Sequence, residues 1–441
     1  MGEKPPAVNF SAVRLTKKPK AAGFSRNLPA GTSPAGLFLP GEKTYNPGMS
    51  TAELWIDSLA YRGYGVGRVD GRVWFVPLTA PGDRVAARVL REKKHFVMGE
   101  LEEVLNPSRD RREAPCPFFG TCGGCHWQFL PYPLQLSAKE AILRQTLKKA
   151  GCSVPEPLEV RPSPREWQYR SRIQVRFTGD GRPGFYRRES RQVVPVDRCL
   201  IARDELNREL ALLAGEGPAA GESGPGWELR LDPDGSVQRL PLSGAGGEQE
   251  ENPDGDARSG GVDPRDFSQV NREINEILRR EVRTVLNRWA GKTGLLSLMD
   301  LFCGDGNLSL PSADLCRRIR GWDASPAATD RGNRLAAEAG SGDVQYIPRT
   351  LEADRKAIIR EARKSDALIL DPPRRGLKGL EEFVIGLGIP RILYVSCSPP
   401  SLARDLNLLN RAGWRTAGMV MLDMFPQTYH LETLTVLEKT G

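Results

Sequence analysis

Two groups of cysteines and a set of carboxylates carry most of the chemistry available to this chain. Cys116, Cys122 and Cys125 are spaced C-x5-C-x2-C, and Cys199 stands 74 residues beyond the last of them. Thiolates are soft ligands that suit zinc or iron–sulfur clusters, and four complete either a tetrahedral zinc or a cubane. The spacing fits neither a doubled C-x2-C zinc ribbon nor the bacterial ferredoxin run, so spacing alone leaves zinc and cluster level. Pro115, Pro117 and Gly123-Gly124 give the segment the character of a ligand loop. Cys152, Cys303 and Cys316 have no partners by spacing and read as core.

The second group lies further on. Asp300-Leu301-Phe302-Cys303-Gly304-Asp305-Gly306-Asn307 ends an apolar run in a Gly-rich turn, which lets a ligand approach the backbone closely. The G-x-G pattern is weak by itself. It gains weight from Asp323, at the end of the next apolar run, where a carboxylate can accept both hydroxyls of a ribose. Asp371-Pro372-Pro373-Arg374 follows a third run, and its prolines stiffen a loop that presents an acid and a guanidinium. In Ser396-Cys397-Ser398-Pro399 a cysteine ends a run just before a helix. The expectation is a nucleophile whose thiol pKa is depressed by the helix N-terminus. Glu432 closes Phe425-Pro426-Gln427-Thr428-Tyr429-His430-Leu431-Glu432; it reads either as a solvated strand end or as a base beside Cys397.

These residues need a scaffold. The chain has 441 residues, 39% hydrophobic and 27% charged, enough for two or three packed domains and too ordered in composition for wholesale disorder. Its net charge of +8 admits a polyanionic partner without demanding one. Eight cysteines are too few for a disulfide scaffold. No run of about 18 apolar residues predicts a membrane span, and no apolar leader core opens the chain. A cytoplasmic, monomeric protein is the expectation.

Residues 1–49 read as a disordered basic tail with no apolar period. Residues 51–105 alternate short apolar runs with turn signals, including Asp70-Gly71, and predict a small β-barrel whose basic and acidic residues balance at eight each. Residues 106–242 hold the cysteine cluster, a helix from Ser137 to Lys149, and the basic segment 161–191. That segment has nine arginines interleaved with Trp167, Tyr169, Phe177, Phe185 and Tyr186. Arg172-Ile173-Gln174-Val175-Arg176-Phe177 has the period of a strand, with guanidiniums on one face, suited to single-stranded RNA or simply to solvent. Residues 243–262 are a Gly, Ser, Asp and Glu linker. From 263 to 441 helix and strand alternate, which predicts a Rossmann-like, doubly wound parallel sheet. The fold class is therefore multidomain α/β: an OB-like barrel, a central α+β domain, and a C-terminal doubly wound domain.

The D-P-P-R loop, S-C-x-P followed by Ser401-Leu402-Ala403-Arg404-Asp405, and F-P-x-T-x-H-x-E occur here in one order. Together they resemble the RNA uridine-C5 methyltransferase family, over about residues 51–441 without the acidic linker. The resemblance implies that residues 51–105 are a TRAM barrel. It also implies that Cys116, Cys122, Cys125 and Cys199 hold a [4Fe–4S] cluster in the central domain. By the same resemblance Gln269, Phe302, Asn307, Asp323 and Asp371 line an S-adenosylmethionine site, Cys397 is the nucleophile and Glu432 the base. Asp371 and Arg374 are candidates to hold the uracil edge. Asp323 departs from the family, where Glu is common, and reaches less far to the same ribose; Thr350 stands where some members have Asn. The implied partner is RNA, ribosomal in the leading reading because barrel and cluster occur together. Transfer RNA, or a non-catalytic iron–sulfur RNA-binding role, are the alternatives.

Overall fold

The structure, a computed structural model, describes residues 51–216, 226–242, 269–291 and 294–440. The expected basic tail and the acidic linker lie outside them. The described residues all fall in one compact unit.

The chain first closes a five-stranded barrel from β1 (Thr51–Leu59), β2 (Gly65–Val69), β3 (Arg72–Val76), β4 (Arg84–Glu92) and β5 (Phe96–Asn106), in the order β1-β2-β3-β5-β4. Asp70 and Gly71 both adopt positive φ (49° and 77°) between β2 and β3, as a type I′ hairpin turn requires. Leu54, Ile56, Trp74, Val76, Val85, Ala87 and Val97 fill the interior.

Helix α1 (Tyr132–Lys149) begins a turn earlier than the apolar pattern indicated, with a proline in its first turn. The strand β6 (Glu159–Arg161) follows. A second sheet then forms from β7 (Arg172–Phe177), β8 (Pro183–Tyr186) and β9 (Val193–Pro195), with β10 (Trp227–Leu231) and β11 (Val237–Pro241) on the other side of β7. Helix α2 (Asp204–Glu216) covers it through Leu206, Leu210 and Leu213.

Helix α3 (Arg272–Ala290) is capped by Asn271, whose side chain accepts from the Ile274 amide. From there strand and helix alternate: β12 (Leu296–Leu301), β13 (Cys316–Asp323), α4 (Pro326–Glu338), β14 (Val344–Pro348), α5 (Arg355–Ala362), β15 (Ala367–Leu370), α6 (Glu381–Leu387), β16 (Arg391–Ser396), α7 (Pro399–Arg411), β17 (Trp414–Leu422) and β18 (Glu432–Lys439). The eight-stranded sheet runs β14-β13-β12-β15-β16-β18-β17-β6. Strands β14 to β16 are parallel, and β18 is antiparallel to both neighbours. Every residue of β12 and β15 is buried, as central parallel strands covered on both faces must be. The strand order reverses between β12 and β15, and that switch point is where an open α/β sheet leaves a crevice at its carboxyl edge.

The sheet also recruits residues from earlier in the chain. Strand β6 pairs in parallel with β17. Leu143 and Leu147 of α1 pack in the same core as Leu402 and Leu406 of α7.

Candidate active site

Four loops at the carboxyl edge carry the candidate residues. After β12, the chain turns through Phe302, which takes a positive φ of 64° although it is not a glycine. Its amide donates to the Trp322 carbonyl at 2.9 Å, which ties the turn to β13. Gly306 has φ 79°, and a Cβ there would lie 2.2 Å from the Tyr346 hydroxyl. Both its conformation and its contact demand glycine.

Asp323 ends β13. One of its oxygens accepts from the Gly304 amide at 2.9 Å and the other from Ser325 at 2.8 Å. The Gly-rich turn and the carboxylate therefore position each other. Asn307 is turned toward α3: its amide pairs reciprocally with Asn275 at 2.9 and 3.0 Å. Gln269 precedes the α3 cap by two residues, and its carbonyl accepts from Ser171 Oγ at 3.3 Å. Phe267 and Ser268, immediately before it, lie outside the described residues.

Asp371 begins the loop after β15. Helix α7 holds this loop in place. Asp405 accepts from the Leu377 amide at 2.8 Å, and Ser401 Oγ donates to the Arg374 carbonyl at 2.7 Å. Arg404 donates to the Arg375 carbonyl at 2.7 Å, and Tyr394 Oη donates to Asp405 at 2.6 Å. The Ser401 to Asp405 motif thus serves as a bracket for the D-P-P-R loop. Thr350 is exposed and accepts from the Ala353 amide within its own turn.

Cys397 and Glu432 flank the last registered pair of β16 and β18 and lie within electrostatic reach of each other. Ser396 of β16 faces Thr433 of antiparallel β18; Cys397 follows the one and Glu432 precedes the other. Glu432 is 5% exposed and Cys397 keeps part of its surface open. Burial pushes the Cys397 thiol up to about 12; the Glu432 and Asp371 carboxylates add to this, while the Arg374 guanidinium opposes it. The sequence-based expectation of a depressed thiol pKa is therefore corrected. Burial and two acids outweigh the helix N-terminus and one cation.

The acids raise one another. Glu432 is held well above the usual carboxylate range by burial and by Asp371, against Arg374. Asp371 is pushed up to about 7 by burial and Asp323. Asp300, inside β12 and 1% exposed, is pushed up to about 8 by burial and its neighbours Asp371, Asp323 and Asp305, against a hydrogen bond from Ser309. Asp300 was quoted in the sequence motif but not singled out; its place one residue before the strand end was the available signal. A crevice with this many carboxyls and one named guanidinium favours a cationic ligand.

The four cysteines of the first group are electrostatic neighbours, and among the described residues no three His, Cys, Asp or Glu side chains are placed to hold a metal ion. All four are free thiols. Burial lifts Cys122 to about 11, with further upward pushes from Cys199 and Cys116. Burial also raises Cys125, and Cys199 and Cys122 add to it. Cys199 is raised by burial and by Cys116. These couplings place the four within electrostatic reach of one another.

The arginine row of β7 does not face solvent. Arg176 is 5% exposed, with its guanidinium 5.5 Å from the Tyr186 ring centre, and Arg172 lies 3.8 Å from the buried Glu228. In the same basic region Arg182, Arg187, Arg191 and Arg198 are exposed instead. The strand period holds, and the neighbouring strands of the same sheet supply partners for the arginines, Glu228 of β10 for Arg172 and Tyr186 of β8 for Arg176.

Among the described residues no helix is long and apolar enough to cross a membrane. Residues 264–440 match the family model described as tRNA (Uracil-5-)-methyltransferase, and residues 50–101 match the TRAM domain. The chain is 35% identical over 403 residues to an uncharacterized RNA methyltransferase of Bdellovibrio bacteriovorus, covering 88% of this chain and 95% of that one. It is 30% identical over 444 residues to the 23S rRNA (uracil(1939)-C(5))-methyltransferase RlmD of Vibrio parahaemolyticus, covering 92% and 100%. Among solved structures it is similar to the Pyrococcus abyssi tRNA (uracil-54, C5)-methyltransferase in complex with S-adenosyl-L-homocysteine. That match has a TM-score of 0.62 at 23% identity and covers 88% of this chain and 100% of that one. The Gly-rich turn, the bracketed acid loop and the paired Cys397 and Glu432 thus sit in a chain that belongs to the RNA uracil-C5 methyltransferase family and is a methyltransferase with an N-terminal TRAM barrel.

Proposed function

We propose that the protein transfers a methyl group from S-adenosylmethionine to C5 of a uridine in ribosomal RNA, through a covalent adduct between Cys397 and uracil C6. The observation that carries this reading is the proximity of Cys397 to Glu432, each one residue beyond the Ser396–Thr433 pair of β16 and β18 and close enough for Glu432 to raise the thiol pKa. A sulfonium cofactor is cationic, and the Asp300, Asp323 and Asp371 edge suits it. Asp323 offers its remaining lone pairs to the ribose. Phe302 and the turn to Asn307 border the cofactor, with the Asn307 side chain committed to Asn275. Gln269 lies at the mouth of α3.

C5 of uracil is a poor nucleophile. Cys397 loses its proton to solvent and its sulfur bonds to C6, which moves electrons to C5 and O4. Arg374 is placed to stabilise that charge. C5 takes the methyl group, leaving S-adenosylhomocysteine. Glu432 then removes the C5 proton, the C5–C6 double bond re-forms, and the thiolate departs. The attack needs the uracil face open, so the target base is unstacked or in a loop. The exposed arginines of 182–198 and the barrel supply the surface for flanking RNA.

The donor set at Cys116, Cys122, Cys125 and Cys199 fits a [4Fe–4S] cluster. The thiols of Cys122, Cys125 and Cys199 are raised by burial, and a cation beside them would favour the thiolate form. Among the described residues no three His, Cys, Asp or Glu side chains converge on one ion position, and a cubane takes one thiolate per iron, not several at one point. When bound, the cluster would tie the loop 116–125 to Cys199. Methyl transfer consumes no electron, so the role assigned is structural.

The test is incubation of anaerobically prepared protein with tritiated S-adenosylmethionine and unmodified ribosomal or transfer RNA, followed by nucleoside identification. Label in 5-methyluridine from ribosomal RNA is expected, and Cys397→Ala abolishes it. Label with transfer RNA alone overturns the substrate. Label that survives Cys397→Ala overturns the covalent route. No label with either RNA favours a non-catalytic RNA-binding role.

A further inference from the structure

Glu432 is the first residue of β18, paired with Leu422 of β17, and the chain before it lies outside the sheet. That chain is the connection 423–431. That connection is held by residues far away in sequence. Gln427 is the centre of it: wholly buried, with a positive φ of 67° although it is not a glycine. Its amide donates to Gln135 Oε1 at 2.8 Å. Its side-chain oxygen accepts from Gln135 Nε2 at 2.9 Å and from Arg112 at 3.4 Å. Its carbonyl accepts from the His126 and Trp127 amides at 2.8 and 3.0 Å. Gln135 Nε2 also donates to the carbonyls of Trp127 and Leu130.

The neighbours repeat the arrangement. Lys139 Nζ reaches Asp423 at 2.6 Å and the Phe425 carbonyl at 3.0 Å. Tyr169 Oη donates to the Pro426 carbonyl at 3.0 Å. A left-handed non-glycine residue persists only where its surroundings over-determine it. Here the surroundings are α1 and the loop that follows Cys125, not the sheet that carries the chemistry.

We infer that the Gln135–Gln427 pair is a positioning device that sets the catalytic base, by clamping the connection 423–431 to α1. The inference rests on the reading of Glu432 as the base. It has a kinetic signature. The base acts after the sulfur–carbon bond has formed, so a displaced Glu432 leaves attack and methylation intact and slows elimination. The methylated RNA then remains attached to Cys397.

The test follows released product and protein–RNA adduct on denaturing gels, with the full-length protein, S-adenosylmethionine and unmodified ribosomal RNA. Gln135→Met keeps the volume and removes every polar contact of the pair. Gln135→Glu keeps the acceptor for the Gln427 amide and removes the donors. Glu432→Gln tests the underlying reading. The expected result is adduct accumulation in Gln135→Met, with kcat down about tenfold or more and KM for RNA within roughly twofold. Gln135→Glu falls between it and the parent. Equal slowing of adduct formation and release, or a change in KM alone, overturns the inference. If Gln135→Met does not fold, the same readout on Gln135→Glu decides. Failure of Glu432→Gln to accumulate adduct, while the parent still methylates, overturns the reading of Glu432 instead.

Discussion

Replacing Glu432 by Gln should make Cys397 more reactive toward a small alkylating agent, although it should disable turnover. The thiol stands at about 12, against an ordinary value of 9.0, and Glu432 is the largest contributor after burial. Near pH 8 only about one thiol in ten thousand is then ionised. Facing residues of an antiparallel pair have Cβ atoms roughly 5 Å apart. At an effective dielectric constant of about 20, a carboxylate at that separation costs a thiolate roughly 3 kcal/mol, or about two pKa units. Glu432 is itself held well above the usual carboxylate range by burial and by Asp371, so its effect on the thiol grows as the pH rises. The expected gain is therefore about tenfold near neutrality, rising toward a hundredfold in base. The assay is iodoacetamide labelling with peptide-level mass spectrometry across neutral to basic pH, which separates Cys397 from the other cysteines. Arg374→Met should act in the opposite sense, because the guanidinium lowers the thiol pKa. An unchanged or slower alkylation rate in Glu432→Gln would refute the pairing of the two groups.

Binding of S-adenosylmethionine near neutral pH should release protons, because a cationic ligand lowers the carboxyl pKa values raised to about 7 at Asp371 and about 8 at Asp300. Calorimetry in buffers of different ionisation heat reads this, and the uncharged thioether product should release fewer; no buffer dependence would count against a carboxyl-lined cofactor site. Lys139→Met should destabilise the fold by about 3–5 kcal/mol in urea titration, since it removes the cation paired with Asp423 where both side chains are wholly buried. Adding Asp423→Leu should recover part of that loss. Gly306→Ala should cost more than Gly304→Ala. Both carry positive φ, worth about 1–2 kcal/mol, but a Cβ at Gly304 meets nothing within 4 Å, whereas one at Gly306 meets Tyr346 at 2.2 Å. Melting temperatures of the two variants decide it.

The features legible in the sequence were those with a local signature. The apolar runs before Phe302, Asp323, Asp371 and Cys397 marked four strand ends, and all four lie on one sheet edge because parallel strands share it. Asp70-Gly71 announced its turn by residue type alone. Features made by distant pairing had no such signature. Gln135 and Gln427 are 292 positions apart, and nothing in either neighbourhood marks the other. The burial of Arg176 depends on the sheet of β7, β8 and β10, which a strand's own alternation does not reveal. The upward direction of the Cys397 shift comes first from burial and then from Glu432 arriving on a different strand, while the sequence displays only the adjoining helix.

The antiparallel insertion of β18 is what makes this sheet suited to two-residue chemistry. A further parallel strand would have brought only its carboxyl end to the crevice, together with a loop leading into a helix. Because β18 runs the other way, its first residue reaches the edge where β16 has its last, which brings Glu432 beside Cys397, the proposed base beside the proposed nucleophile. The same choice has a consequence for the connection. Strand β17, antiparallel to β18, also ends at that edge, so residues 423–431 must cross there without a helix to stiffen them. Strand β6 is parallel to β17, and the chain leaves it for the central sheet on the same side. The segment that needs support and the segments able to give it are therefore brought to one place by strand direction. The contacts of Gln135, Lys139 and Tyr169 with residues 423–427 are what that topology makes available.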